Sequence, residues 1–168
     1  MKKIICTWLG IVLLGFLTVG VAQAENDPVS MLRSIADQLI SSLESHKANL
    51  KTNPSLVYSL ANRIVVPHAD LAEMSKRVLP SQTWDQATSG QRAQFQTEFT
   101  KLLVRTYATA LADYKGQTVE FYPVRGGYQG KNNVKVDSRI IPASGPTISV
   151  SYKLILEGVQ WKLYDLSV

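Results

Sequence analysis

The chain has 168 residues, of which 45% are hydrophobic and 18% are charged, and its formal net charge at pH 7 is +5. This length suits one domain, the apolar fraction excludes a disordered chain, and a mean hydropathy of -0.01 excludes a protein with many membrane spans. We therefore expect a single soluble, folded domain.

The first 24 residues have the pattern of a signal peptide. Two lysines precede an apolar run over 4–21, and Ala-Gln-Ala at 22–24 has the small residues of a signal-peptidase site. The alternative is a retained membrane anchor, because the run is about long enough to span a bilayer. Cys6 lies at the start of the run and not after it, which is not the position of a lipoprotein cysteine. We expect cleavage, a mature domain over 25–168 and a location in a bacterial periplasm.

The charge and cysteine content of the mature domain restrict its partners and its stabilisation. Without the two lysines of the leader, the net charge of +5 falls to about +3, which is too small to indicate binding to nucleic acid. The one cysteine of the chain lies in the leader, so the mature domain must be held together by its hydrophobic core and not by disulfides.

Helix signals occupy the first part of the mature chain. An Asp-Pro pair at 27–28 combines a capping residue with a first-turn proline, and apolar residues follow at helical spacing. An Asn-Pro pair at 53–54 repeats the signal for a shorter helix that Pro67 ends. A third helix is predicted over 69–79, where Pro80 stops it.

The longest predicted helix runs from Thr88 to Gly116. Thr88 and Gln91 have the spacing of a capping box, and Gly116 suits a C-cap. Its apolar residues are Phe95, Phe99, Leu102, Leu103, Tyr107, Ala110, Leu111 and Tyr114, with Val104 at the edge. They fill an arc of about 200°, about twice an ordinary core-facing stripe, so this helix must be covered on more than one side.

After Gly116 the apolar period changes to two, which predicts half-buried antiparallel strands. The predicted strands are 118–121, 134–137, 147–156 and 159–168, with turns at the glycine-rich and proline-rich segments between them. Helices followed by strands indicate an α+β fold.

The last predicted strand is apolar on both faces. Strict alternation places Trp161 and Leu163 on one face, and Tyr164, Leu166 and Val168 on the other. We expect a helix folded back, or a segment beyond this chain end, to cover the second face.

Residues suited to catalysis are scarce. His46 and His68 have no other ligand at metal spacing, and a Gly-rich stretch at 126–130 lies between strands as a hairpin loop would. Asp70 and Asp113 could in principle do acid-base chemistry, but the spacing of Asp70 and Glu73 is common on solvated helix faces and does not indicate a site.

Three charged residues fall at apolar positions. Asp165 shares the strand parity of Trp161 and Leu163, which predicts a buried carboxylate with an ion pair or backbone partners. Arg92 and Asp113 lie within the apolar arc of the long helix at its two ends, where charges can reach solvent or form pairs. Arg92 is predicted to tether a neighbouring loop. The excess of apolar surface over what a two-layer core needs favours a cavity for a hydrophobic ligand.

Several short motifs together resemble one known family. They are Pro67-x-x-Asp70, Leu79 with Trp84, Gln91-Arg92 with Phe95 and Phe99, Leu102-Leu103, Thr106-Tyr107, Tyr114-x-Gly116, Tyr152 and Trp161-x-x-Tyr164-Asp165. In order and spacing they resemble the MlaC, or toluene-tolerance, family of periplasmic phospholipid-binding proteins over nearly the whole mature chain. Pro80-Ser81 replaces the usual Leu-Gly, and family members continue past residue 168 with a helical segment, so we expect a truncated C-terminus.

The resemblance implies a phospholipid carrier and not an enzyme. Such a carrier moves lipid between an outer-membrane lipoprotein-porin complex and an inner-membrane MCE protein of an ABC transporter, and so maintains outer-membrane lipid asymmetry. The implied α+β fold packs N-terminal helices on a twisted antiparallel sheet that encloses the acyl chains. Phospholipid is the cargo, with no catalytic residue, metal or other cofactor.

Two sets of residues are candidates for the site. The residues expected to contact the acyl chains are Phe99, Leu103, Tyr107, Val136, Val150, Tyr152, Leu154, Trp161 and Leu163. The cations expected near the head group or at partner interfaces are Lys76, Arg77, Arg92, Lys101, Arg105 and Arg139, because an anionic group would be steered by them.

Two other classes of protein stay open at this point. One is a small enzyme of isomerase or hydratase type on a similar cone-shaped fold, which would need several titratable groups in its cavity. The other is a periplasmic adaptor whose apolar surface binds a protein.

Overall fold

The computed structural model of the protein describes residues 27–168. The predicted signal peptide, residues 1–24, lies outside the described residues. None of the helices found in this part of the chain has both the length and the apolar character that a membrane crossing requires.

Within residues 27–168, five α-helices precede four β-strands, which confirms the α+β prediction. The helices are α1 (Pro28–Ser45), α2 (Pro54–Ile64), α3 (Leu71–Val78), α4 (Ser81–Gln86) and α5 (Ser89–Ala112). The strands are β1 (Thr118–Phe121), β2 (Asn133–Ile141), β3 (Ile148–Glu157) and β4 (Gln160–Ser167).

Capping explains where the two longest helices begin. The Asp27 carboxylate accepts hydrogen bonds from the backbone nitrogens of Val29 and Ser30, at 3.1 and 3.3 Å. At the start of α5 the backbone nitrogen of Thr88 donates to Gln91 Oε1 at 2.9 Å, and that of Gln91 donates to Thr88 Oγ1 at 3.3 Å. The predicted capping box is confirmed, and it satisfies amide groups that the first turn leaves without helical partners.

The helices differ from the prediction in three respects. α3 begins at Leu71 rather than 69, because Asp70 is its N-cap. The short helix α4 was not predicted; it follows Pro80 directly. α5 ends at Ala112, and Gly116, with φ of +91°, lies in the turn before β1.

The strands form one antiparallel sheet in the order β1-β2-β3-β4. Residues paired across neighbouring strands point to the same side of a sheet. The resulting apolar face contains Val119, Phe121, Val134, Val136, Ser138, Ile140, Ile148, Val150, Tyr152, Leu154, Leu156, Trp161, Leu163 and Leu166. No charged residue is among these paired positions, whereas the other face is largely polar.

A β-bulge in β4 corrects the predicted orientation of the last strand. Leu154 pairs with Leu163 and Tyr152 pairs with Leu166, so Tyr164 is an extra residue without a cross-strand partner. The extra residue shifts the alternation by one position. Leu166 therefore lies on the same face as Leu163, and the prediction that β4 is divided with Leu166 on the opposite face is wrong.

The same bulge reverses the position of Asp165. Asp165 pairs with Lys153 on the polar face, and its Oδ2 lies 2.6 Å from Lys153 Nζ. The predictions that it shares a face with Trp161 and that it is buried are wrong, because its side chain is 38% exposed, whereas the predicted ion pair is confirmed.

Two hydrophobic clusters form the core, and α1 contributes to both. The helical cluster contains Leu43, Leu50, Val57, Leu60, Ile64 and Ala108. The sheet cluster contains Leu32, Val134, Val136, Leu154 and Trp161. The N-terminal half of α1 therefore packs on the apolar face of the sheet, and its C-terminal half packs with α2 and α5.

A junction joins the start of α3 to the sheet. Ala69 forms a parallel β-bridge with Leu163, and the backbone nitrogen of Asp70 donates to the Leu163 carbonyl at 2.8 Å. Lys162 Nζ donates to the Pro67 carbonyl at 2.7 Å. These contacts fix the entry to α3 against the outer edge of β4.

We expect a pH-dependent contribution to stability at this junction. The hydrogen bond between the side chains of Glu157 and Asp70, burial and the Asp70 charge raise the pKa of Glu157 above its ordinary value of 4.5. The folded state therefore retains this proton longer than the unfolded state does, so folding is penalised as pH rises from about 4.5 through the raised pKa. The effect is less than about 1 kcal/mol, because Glu157 is exposed.

Urea titrations of wild type and Glu157→Gln between pH 4 and 8 test this. In the variant, the free energy of unfolding should fall less between pH 4 and 8 than it does in wild type. Parallel profiles for wild type and Glu157→Gln would contradict the prediction.

Candidate functional site

One face of α5 is apolar but incompletely covered. Phe99, Leu103 and Tyr107 are spaced four residues apart, which places them within an arc of about 80° on the helix. Phe99 and Leu103 are half-buried, and Tyr107 is 43% exposed. α5 packs mainly on α2 and α3, and none of the described strands is among its main partners. This face of the helix therefore borders open space.

The neighbouring residue Leu102 lies at the edge of this face, about 60° around the helix from Phe99. It lies about 100° around the helix from Leu103 and is 59% exposed. Phe95 stacks on Phe99 with ring centroids 5.9 Å apart, which extends the apolar surface toward the start of α5. Helices α2 and α3 cover part of the predicted apolar arc of α5, and the rest of that arc is exposed.

The structure brings the six predicted sheet residues to one face. Val136, Val150, Leu154 and Trp161 are at most 5% exposed, whereas Tyr152 and Leu163 are half-buried. Three of them, Val136, Leu154 and Trp161, pack in the sheet cluster with Leu32 of α1. Those three are shown to be core residues; contact with a ligand stays a prediction for all six.

Burial decreases toward the hairpin that joins β2 and β3. Ile140 is half-buried and Ile148 is 44% exposed, although both lie on the apolar face. Neither residue is among the members of the sheet cluster beneath α1. One end of the apolar face is therefore closed by α1 and the other end is open.

Two hydroxyl groups interrupt the apolar face. Ser138 is 1% exposed, and its Oγ donates to Tyr152 Oη at 3.2 Å. Burial raises the pKa of Tyr152, so its phenol stays protonated at neutral pH. Ser138 was not among the candidates, although it has the same strand parity as Val134 and Val136, and that parity could have identified it.

The six predicted cations lie on three elements, α3, α5 and β2. Arg139 lies on the polar face of the sheet, where it pairs with Glu120 at 3.0 Å. Lys101 pairs with Glu98 at 2.8 Å along α5, and Arg105, also on α5, is exposed.

The remaining three cations lie around α3 and α4. On α3, Lys76 is exposed, and the guanidinium of Arg77 lies 4.4 Å from the centre of the Tyr164 ring. Arg92 donates to the carbonyls of Trp84 and Asp85, at 3.0 and 3.2 Å. The predicted tether is confirmed: it holds α4 against the first turn of α5.

A surface groove of about 460 Å³ lies between α4 and α5. Its walls are formed by Leu79, Thr83, Trp84, Gln86, Ala87, Gln91, Arg92 and Phe95. None of the nine residues predicted to contact acyl chains lines it.

The titratable candidates are dispersed. His46 Nδ1 lies 2.7 Å from the Ser42 carbonyl at the end of α1, and Asp113 pairs with Lys51 at 3.2 Å. Burial and the charge of Lys162 lower the pKa of His68, and Asp70 caps α3. Within residues 27–168, no three His, Cys, Asp or Glu side chains are grouped so that they could hold a metal ion.

Comparisons with known proteins give consistent findings. The family model described as MlaC protein matches residues 33–168. The intermembrane phospholipid transport system binding protein MlaC of Haemophilus influenzae is 27% identical over 164 residues, which are 95% of this chain and 75% of that protein. The toluene tolerance protein ttg2D of Pseudomonas putida is 28% identical over 145 residues, which are 86% of this chain and 66% of that protein.

A solved structure shares the fold. The phospholipid-binding protein from Ralstonia solanacearum, solved in complex with a phospholipid, superposes with a TM-score of 0.78 at 28% identity, covering 84% of this chain and 78% of that one. This chain thus spans about three quarters of one curated relative and just under two thirds of the other.

Proposed function

The chain belongs to the MlaC family, and we propose that it binds phospholipid and carries it through water. The main support is the apolar face of α5 at Phe99, Leu103 and Tyr107, which the rest of the described chain covers only in part. A monomeric protein rarely leaves such a face uncovered without a ligand or partner for it. The Ralstonia solanacearum protein, which holds a phospholipid, has the same fold.

We propose that the acyl chains lie between this face of α5 and the open end of the sheet. The open end carries Ile140 and Ile148, and Tyr152 and Leu163 supply half-buried surface on the same face. Two acyl chains of membrane length would cost more than about 20 kcal/mol if they were exposed to water, at about 0.8 kcal/mol per methylene. A carrier must therefore bury most of that surface.

The wider role is part of the same proposal. The domain over 25–168 acts in the periplasm after removal of residues 1–24, and exchanges lipid with an outer-membrane lipoprotein-porin complex and an inner-membrane MCE protein of an ABC transporter. Support comes from the leader-like sequence and from the intermembrane transport system of the Haemophilus influenzae relative. Phospholipid is its cargo, and neither catalysis nor a cofactor is involved.

Organic extraction of the purified protein followed by mass spectrometry tests lipid binding. We expect about one phospholipid per protein, and delipidated protein should regain it from vesicles that are then removed by centrifugation. Folded protein that neither contains nor regains lipid would contradict the proposal and favour a protein-binding adaptor. Chemical change of the lipid during incubation would favour an enzyme.

A further inference from the structure

The Ser138-Tyr152 pair is an uncharged polar point in the middle of the apolar face. Across β2 and β3, Ser138 pairs with Val150 and Tyr152 pairs with Val136, so the two hydroxyl residues are diagonal neighbours. Their aliphatic partners are at most 4% exposed. Polar groups at such positions are costly unless hydrogen bonds satisfy them.

The hydrogen bonds of this pair leave one donor unused. Ser138 donates to Tyr152 Oη, whereas a phenol can both accept and donate. Among residues 27–168, the Tyr152 hydroxyl has no hydrogen bond other than the one it accepts from Ser138. The proton of this hydroxyl is therefore free to be donated to a ligand.

The ring of Tyr152 is held in place but remains accessible. It contacts Phe121 with ring centroids 5.8 Å apart, and the residue is half-buried. The hydroxyl donor therefore has a defined position on the apolar face. A ligand that accepts its hydrogen bond must be correctly oriented, and little side-chain entropy is lost when the bond forms.

The surroundings favour a neutral acceptor. No charged residue occupies a paired position on this face of the sheet, so nothing there offsets the desolvation of a phosphate. The polar atom of a phospholipid that adjoins its acyl chains and carries no charge is the ester carbonyl oxygen.

We propose that Tyr152 donates a hydrogen bond to an acyl-ester carbonyl of the bound phospholipid and so sets how deeply the chains enter the site. This rests on the proposed function. It predicts a preference for ester-linked over ether-linked lipids, because an ether analogue of the same head group and chain length lacks that carbonyl.

Displacement of a fluorescent phospholipid from delipidated protein measures the preference. The competitors are a diacyl phosphatidylcholine and the dialkyl-ether lipid with the same head group and chain length. Tyr152→Phe keeps the ring and should weaken binding of the diacyl lipid about 5-fold, the contribution of one neutral hydrogen bond, with no change for the ether lipid. Tyr122→Phe, which changes a tyrosine beneath Arg139 on the polar side, should leave both affinities unchanged.

Three outcomes overturn the proposal. Tyr152→Phe could bind the diacyl lipid as tightly as wild type does, or it could lose affinity for both lipids equally, which would exclude the ester as the acceptor. Should Tyr152→Phe fail to fold, Ser138→Ala retains the Tyr152 hydroxyl and must retain the ester preference; its loss would also overturn the proposal. If wild type binds neither lipid, the proposed function itself fails.

Discussion

We expect Leu103→Glu to abolish phospholipid binding while Leu102→Glu leaves it intact. Leu103 lies between Phe99 and Tyr107 on the incompletely covered face of α5, whereas Leu102 is at the edge of that face and is 59% exposed, so a carboxylate there stays in water. A carboxylate at residue 103 would have to be desolvated against acyl chains, at a cost of several kcal/mol. The affinity should fall by at least about 100-fold.

The two variants differ by one position on the same helix, so they control for charge and for helix propensity. Bound lipid per protein is measured by extraction and mass spectrometry, and folding by circular dichroism. A folded Leu103→Glu protein with a full complement of lipid would remove this face of α5 from the site. Equal loss in both variants would show that the effect does not depend on which side of α5 carries the charge.

We expect Leu154→Ala to lower the free energy of unfolding by about 3 kcal/mol, the middle of the range for a buried leucine. Leu154 is fully buried in the sheet cluster with Leu32 and Trp161. Val159→Ala is the control, because Val159 is 71% exposed in the β3-β4 turn. It should change stability by less than about 0.5 kcal/mol.

Urea denaturation of delipidated protein measures both variants, and a repeat with bound lipid separates two roles of Leu154. A cost of the same size with and without lipid indicates packing against α1 alone. A cost that grows when lipid is bound indicates contact with the acyl chains as well. A cost below about 1 kcal/mol in both states would contradict the assignment of Leu154 to the core.

The helix starts and the antiparallel sheet could be predicted because their signals are local. The Asp-Pro pair at 27–28 and the Thr88-Gln91 box act within one turn of the chain, and each forms the predicted hydrogen bonds. Alternation along β2 and β3 follows from the geometry of an extended chain. These features need no knowledge of the rest of the fold.

The orientation of β4 could not be predicted because it depends on pairing. Counting by twos assumes a regular strand, and the extra residue at Tyr164 becomes visible only once β4 is aligned with β3. This one residue accounts for the wrong positions of both Leu166 and Asp165.

Only part of the candidate site could be predicted, because strand parity is local whereas burial depends on contacts between distant residues. Strand parity placed Val136, Leu154 and Trp161 on the apolar face correctly. It could not show that Leu32 of α1 packs on them, because that contact joins distant parts of the chain. The division between closely packed core and open wall is a tertiary property.

The sheet cluster has a kinetic consequence. It joins Leu32, in the first helix, to Trp161, in the last strand, so nearly the whole described chain must be available before this core can close. Contacts between such distant residues carry a large loop-closure entropy and slow folding. The buried residues of the helical cluster end at Ala108, so that cluster is free of this requirement, and we expect the contact between α1 and the sheet to form after it.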